Sequence, residues 1–520
     1  MQVRILLSIT LAGWCLGSPA QADPEPVSGP AEPTPAVADE PKIEVRDTAE
    51  EAPLLSVRSS GFLDMRWTGG YASVGHLVPA NDTPHLQELT EGNVQLKLSW
   101  ADKAQALVDA SFIHQRAWMY WGQNAAGERT RLADHDVATF RPAALIAEAY
   151  GIYNLGERLN LTLGKKRVLW GPGLAWNPTD LLNPPKDPTD PTLQRAGAWL
   201  ARLELPMDSW SLSLVGAAKT TRQFAGIPSG LVWYPDNQPA GETRDDRPHF
   251  ALAARLYALV AETDLNAMFY LTQLYNDTFE YKPRLGLTAS HVFWNALEVH
   301  AEVLGQLGSS RTYVDGDCVS SLGKAMVCFS SGKPVARTSL ADDDGIRVKA
   351  LAGARYQFGE NAAISAEYFY NAEGYNAEQF GNFVTAASYR QQAAKAGVPI
   401  DVISKTFGSM MPSAGDPGSP QKFAFEPLRR HYLFLTYMHP QLADDFTINT
   451  VVILGLADGS GQVAPQLTWS ARAWCNLSAG AFITLPGIES RGAQVGGQGY
   501  TEYGLQPSLW RAFASIRVFY

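Results

Sequence analysis

One stretch of the chain concentrates residues able to do chemistry. Lys165, Lys166 and Arg167 lead into Trp170-Gly171-Pro172-Gly173, then Trp176-Asn177, Asp180 and Asn183, with Pro178, Pro184, Pro185 and Pro188 stiffening the run. Aromatic faces beside amide and carboxylate groups suit sugar rings, because the apolar face stacks while the hydroxyls bond the polar groups. The same composition suits a loop that folds back and narrows a larger structure as a passive constriction. The other suggestive neighbours are Ser290-His291, and His300 between Glu298 and Glu302. Adjacent residues on a strand face opposite sides, so Ser290 and His291 form no dyad there. Glu298, His300 and Glu302 share one face and read as a charge network. The chain contains no Gly-x-Ser-x-Gly, His-Glu-x-x-His or phosphate-binding loop, so no enzyme, metal centre or cofactor is expected.

The elements that must carry these residues announce themselves by alternation. Val94, Leu96, Leu98 and Trp100 are set against Asn93, Gln95, Lys97 and Ser99; Leu297, Val299, Ala301 and Val303 against Glu298, His300 and Glu302. Segments of this kind recur from Val57 onward, at 56–68, 91–101, 104–115, 143–154, 158–169, 196–206, 209–219, 248–259, 262–273, 282–293, 296–306, 345–357, 361–371, 428–438, 444–455, 462–473, 476–486 and 509–520. Short links such as Asp102-Lys103, Gly156-Glu157, Met207-Asp208 and Gly359-Glu360 alternate with longer ones. Dyad segments joined by turns of alternating length predict an all-β fold, a transmembrane antiparallel β-barrel of about eighteen strands with short periplasmic turns and long extracellular loops. Both termini then fall in the periplasm.

Bulk composition agrees. The chain is 46% apolar and only 18% charged, yet has no run of about 18 apolar residues that would cross a membrane as a helix. Arg4, the apolar stretch Ile5 to Leu16 and the small-x-small Ala20-Gln21-Ala22 read as a signal peptide over 1–22. Cys15 would suit a lipoprotein, but bulky Trp14 precedes it. Residues 23–53 hold nine acids and two bases among many prolines, the composition of a disordered leader. It reads as a periplasmic spacer or as a peptide that docks export components in the periplasm. Residues 54–520 form the barrel. Cys318 and Cys328, ten apart in a Ser/Gly-rich segment, are candidates for one loop-stapling disulfide.

Strand parity predicts which charges face the lumen. The inward bases are Arg58, Arg66, Lys97, Lys166, Arg202, Arg255, Arg284, Arg347, Lys349, Arg355, Arg472, Arg511 and Arg517; the inward acids are Asp64, Asp109, Glu148, Glu204, Asp264, Glu298, Glu302 and Glu367. Thirteen bases against eight acids would select anions. Alternatively, bases and acids pair across the wall and stiffen it. The long connection 372–427 carries a helix-like run, Thr385 to Lys395, followed by loop-like Met410 to Pro420. It is either a lid or an outer loop.

Trp510, Ala512, Ala514, Ile516, Val518 and Tyr520 alternate along the last segment and end on an aromatic residue. This resembles the terminal signal by which outer-membrane barrels engage their assembly machinery. The run Gly164 to Gly173, basic residues followed by Trp-Gly-Pro-Gly, resembles barrels of the capsule-assembly and alginate-export kind. That resemblance implies an eighteen-stranded outer-membrane protein handling polysaccharide, with Lys165, Lys166 and Arg167 near the pore wall and Trp170 starting an inward-folding loop. A periplasmic loop long enough to plug an exporter is missing from this chain. The functions in view are a channel for a solute or an anionic polymer, and a non-transporting surface barrel that binds polysaccharide or scaffolds an envelope complex. Partners would be outer-membrane lipid and the assembly machinery, with no nucleic acid.

Overall fold

The computed structural model describes residues 55–72, 86–101, 103–118, 143–156, 158–183, 197–219, 249–273, 281–309, 312–331, 335–338, 345–359, 361–399, 427–505 and 508–520, with short pieces at 77, 121–123, 129–131, 138–139, 186 and 402. The expected signal peptide and acidic leader, and the Met410 to Pro420 segment, lie outside the described residues.

Eighteen long strands run in sequence. They are β1 Leu55–Ala72, β2 Leu86–Trp100, β3 Ala104–Trp118, β4 Ala143–Asn154, β5 Asn160–Lys166, β6 Ala198–Pro206, β7 Trp210–Lys219, β8 His249–Val260 and β9 Thr263–Gln273. The second half comprises β10 Tyr281–Phe293, β11 Leu297–Leu307, β12 Ile346–Phe358, β13 Ala362–Asn371, β14 His431–Leu442, β15 Phe446–Gly455, β16 Gly461–Arg472, β17 Cys475–Leu485 and β18 Ser508–Phe519. Each pairs antiparallel with the next, and β18 returns to β1 in a register running from Phe62↔Phe519 to Tyr71↔Trp510. The sheet is a closed barrel. Closure leaves no row of unpaired backbone N–H and C=O groups, which hydrocarbon would not tolerate.

The outer face follows from the alternation. Val94, Leu214, Leu252, Leu285, Leu287 and Val303 are exposed although apolar. Toward the short-turn end lie exposed Trp100, Trp210, Trp294, Tyr356 and Trp474, and toward the long-loop end Trp199, Phe250 and Trp510. An apolar belt between two aromatic girdles is the surface of a bilayer-spanning barrel. At the short-turn end, Ala261 and Glu262 join β8 to β9 with φ of 48° and 60°, the twist that a two-residue hairpin requires.

At the long-loop end four connections build a second core. Helix α1, Leu322–Ser330, and helix α2, Ala377–Lys395, contribute to it. Tyr313, Cys318, Ala325, Phe380, Phe383, Val384 and Leu505 are buried together there. Cys318 and Cys328 are disulfide-bonded, with Cα atoms 5.9 Å apart.

The structure corrects several expected boundaries. Strand β5 ends at Lys166 rather than 169, because Gly164 adopts φ 125° and breaks the pleat. Strand β14 begins at His431 rather than 428, because Tyr375 N–H claims the Leu428 carbonyl (2.7 Å) and draws that segment toward α2. Helix α2 starts at Ala377, eight residues before the expected Thr385. Its start is fixed by a capping box in which Asn376 accepts from Gln379 N–H and the Gln379 side chain accepts from Asn376 N–H.

The two faces predict opposite tolerance. Leu214→Arg, on the lipid face of β7, should destabilise the barrel folded into vesicles by about 2–4 kcal/mol. Gln466→Arg, on the lumen face of β16, should change it by less than about 0.5 kcal/mol. Urea titration of the barrel in lipid vesicles checks both.

Candidate functional site

Inside the barrel the chemistry-bearing stretch leaves the wall altogether. After β5 the chain does not rise into a surface loop but turns inward, and residues 168–183 cross the lumen. Trp176 comes to rest stacked on Phe369 of β13 (centroids 5.0 Å, 17° between planes) and against Tyr432 and Phe434 of β14 (5.6 and 6.4 Å). In a ring of eighteen, β14 is nine strands from β5, the full width of the barrel.

Two wall carboxylates hold the crossing segment. Glu302 of β11 accepts from Gly173 N–H (2.7 Å), Thr179 N–H (3.3 Å) and the Thr179 hydroxyl (2.7 Å). Glu367 of β13 accepts from Leu174 N–H (2.5 Å) and Ala175 N–H (2.9 Å), and its Oε1 also meets His300 Nε2 at 2.9 Å. Both carboxylates are fully buried, so these donors supply what water would otherwise give them. Hydrogen bonds to charged groups are worth about 1.5–3 kcal/mol each, so the clamp offsets a substantial part of the cost of ordering the segment. Further ties come from Tyr270, whose hydroxyl donates to the Thr179 carbonyl (2.5 Å), and from Lys186, which donates to the Gly173 carbonyl (2.6 Å).

The amides brace the segment internally. Asn183 donates to the Val168 carbonyl (2.7 Å) and to Asp180 (2.7 Å), and Asn177 donates to the Gly171 carbonyl (3.0 Å). Arg167 binds Glu148 of β4 through its backbone N–H (2.8 Å) and guanidinium (2.6 Å), fixing the point of departure. Trp170, 1% exposed, leans on Tyr270, and Trp176 is 6% exposed. Neither ring keeps a face for a sugar, which removes the stacking-platform reading of this stretch.

A missing side chain makes the His300–Glu367 contact possible. His300 on β11 and Glu367 on β13 flank Gly353 of β12 in register. A Cβ on Gly353 would lie 2.5 Å from His300 Nε2 and 2.8 Å from Glu367 Cγ, so the imidazole reaches across β12 only because Gly353 is bare.

Parity places the remaining sequence candidates. Exposed Val57, Leu96, Leu203, Leu256, Leu285, Ile346, Tyr356 and Trp510 alternate with Arg58, Lys97, Arg202, Glu204, Arg255, Arg284, Arg347, Arg355 and Arg511, which therefore face the lumen. Arg202 binds Glu204 (2.5 Å) and Arg517 binds Asp64 (2.8 Å), while Lys349 reaches Glu373 beyond the strand (2.5 Å). Arg255 donates to Asn266 (2.8 Å), and Glu298 accepts from Ser290 (3.2 Å). Asp109 accepts from Asn93 (2.7 Å), and Asp264 from Tyr257 (2.5 Å). Several acids thus take neutral donors, and the two largest clamps take backbone.

One assignment by simple alternation needs correction. Arg472 lies past a register slip after Trp469 and is exposed at the turn, donating to the Ala471 carbonyl (2.9 Å). Lys166 pairs with buried Ala198 of β6 and sits over the Tyr150 ring at 4.9 Å, on the inward face that alternation gives it.

Sequence reading missed the network that ties the outer loops to the crossing segment. Glu502, fully buried in the β17–β18 connection, accepts from Leu428 N–H (2.6 Å) and the Tyr432 hydroxyl (2.7 Å). Its own N–H donates to Asp458 (2.8 Å). Burial pushes the Glu502 carboxyl up to about 7, and neighbouring Asp458 adds to the rise. Tyr432 thus touches the outer-loop network through its hydroxyl and Trp176 through its ring. No local pattern pairs residues 458 and 502; only the β15 and β17 ends bring them together.

No family profile matches the chain, and no curated protein matches it. Among solved structures, it is similar to the outer membrane channel DcaP of Acinetobacter baumannii (10% identity over 90% of this chain and 97% of that one, TM-score 0.36). It is also similar to OccK8 (OprE) of Pseudomonas aeruginosa (9%, covering 89% and 97%, TM-score 0.43) and to OprB of Pseudomonas putida (8%, covering 90% and 94%, TM-score 0.37).

Two outcomes follow from the site. Replacing both Glu302 and Glu367 by Ala should release the crossing segment, and amide hydrogen exchange of 170–183 should rise at least tenfold while that of the strands does not. A carboxyl whose folded pKa is raised stabilises most below its unfolded value, and that stabilisation is lost as pH rises through the folded value. The Glu502 network should therefore be tightest near pH 4.5 and loosen through pH 7. Exchange of 456–460 and 500–505, corrected for intrinsic rates, should increase between pH 5 and pH 8, and Glu502→Gln should flatten that dependence.

Proposed function

We propose that this protein is an outer-membrane channel for small anionic solutes, with its short turns and both termini in the periplasm. One observation carries the reading: a segment clamped across the lumen narrows a barrel to whose interior strand parity assigns more bases than acids. Charged linings select permeants by sign, and a constriction makes that selection effective by forcing close approach. The crossing segment is held by groups on the wall itself, so it acts as a fixed partition rather than a mobile plug.

A polysaccharide passenger, as exporters of the capsule and alginate kind handle, is a weaker form of the same reading. A polymer must thread a continuous wide path, and the clamped segment obstructs one. A surface barrel that binds polysaccharide without transport draws no support from Trp170 and Trp176, whose rings are covered.

Purified barrel in a planar bilayer tests the proposal. The expected result is an anion-selective current, with selectivity falling when Arg347 and Lys349 are both replaced by Glu. A barrel that stays silent both intact and after Glu302→Ala with Glu367→Ala would overturn it.

A further inference from the structure

Arginine and phenylalanine side chains are stacked on the wall formed by β17, β18 and β1, with Phe482 at the edge of the cluster that holds Trp176. Arg511 of β18 lies over the Phe482 ring of β17, with Cζ 5.2 Å from the centroid. Phe482 meets Phe513 at 5.7 Å with 34° between planes. Arg66 of β1 lies over Phe513 at 5.1 Å. The four side chains make one unbroken stack, cation–ring–ring–cation, across three neighbouring strands. Further toward the short-turn end, Arg517 lies over Phe62 at 4.6 Å while its Nη2 donates to Asp64. From residue 511 to residue 517 the strip runs about 20 Å along the strand.

The wall is shaped to hold the stack flat. Gly480 faces the lumen beneath Phe513, and a Cβ there would meet the ring at 2.6 Å. Phe513 is covered, at 8% exposure, while half-buried Phe482 keeps a ring edge along the pathway. Stacking on a ring uses the face of a guanidinium and leaves its N–H edge able to bond an anion. The strip therefore offers charge and apolar surface together, at adjacent places and in alternation.

We propose that this strip is a binding site for organic anions that carry an aromatic ring, in which a guanidinium takes the carboxylate while the ring packs against the phenylalanine–arginine stack. The inference rests on the channel reading for its role in transport, but not for its existence as a site. A purely electrostatic lining would treat anions of equal charge alike. This one discriminates by the body attached to the charge.

The test compares benzoate with acetate. Calorimetric titration of the intact barrel in detergent should give benzoate binding at least tenfold tighter than acetate. In a bilayer, benzoate should interrupt the chloride current at concentrations where acetate does not. Phe482→Ala with Phe513→Ala should bring the two affinities within about twofold. Arg66→Lys, which keeps the charge and loses the planar stack, should also weaken benzoate preferentially. Heat-modifiable migration on gels confirms that each variant is folded. Equal affinity for benzoate and acetate in the unmodified barrel would overturn the inference even if the current is anion-selective. Tight benzoate binding by a barrel that carries no current would uphold the site and overturn the channel reading instead.

Discussion

The hydrogen-bonded seam between β1 and β18 is the constraint from which the other features follow. In hydrocarbon each backbone N–H and C=O must find a partner within the protein, and a sheet satisfies that only by closing. Closure at eighteen strands then fixes the width of the lumen, and that width poses a second problem of the same kind. An interior too wide for facing side chains to meet leaves wall carboxylates such as Glu302 and Glu367 short of donors. The segment after β5 supplies them from its own backbone N–H groups. The barrel wall and its internal partition are thus solved by one rule, applied first to amides facing lipid and then to carboxylates facing inward.

The lumen that results is asymmetric. Its β9–β14 side is occupied by the crossing segment through Tyr270, Glu302, Glu367 and Tyr432. The neighbouring wall around β18 carries the guanidinium–ring stack, and its Phe482 reaches the edge of the Trp176 cluster. The most deeply buried acids, Glu302 and Glu367, are engaged by neutral backbone donors.

Much of this was legible in the sequence, and the physical reasons divide cleanly. Alternation is a local signal with period two, so strand number, the lipid face and inward residues such as Arg347 and Glu302 could be read directly. Parity fails where the period is interrupted, after Trp469 before Arg472. The composition of 170–183 suggested a rigid loop, but not which way its rings would turn. Tryptophan and asparagine suit a sugar platform and a packed crossing equally; the partners that decide between them, Glu367 and Phe369, lie almost two hundred residues away. The Asp458–Glu502 network and the Arg66–Phe513 stack were invisible because neither is local: the first joins the ends of neighbouring hairpins, and the second joins residues that meet only after the ring closes.

The second core above the barrel has a consequence for the order of assembly. Leu77, Tyr313, Phe380, Ala493 and Leu505 pack together there although they come from the connections after β1, β11, β13 and β17. None of these contacts is local, so the loop-closure entropy that each demands is met only when the strands beneath already stand side by side. The Cys318–Cys328 bond spans ten residues and suffers no such delay. The dome is therefore a late product whose parts are made early. Its completion records that strands from both ends of the chain have found their places in one ring.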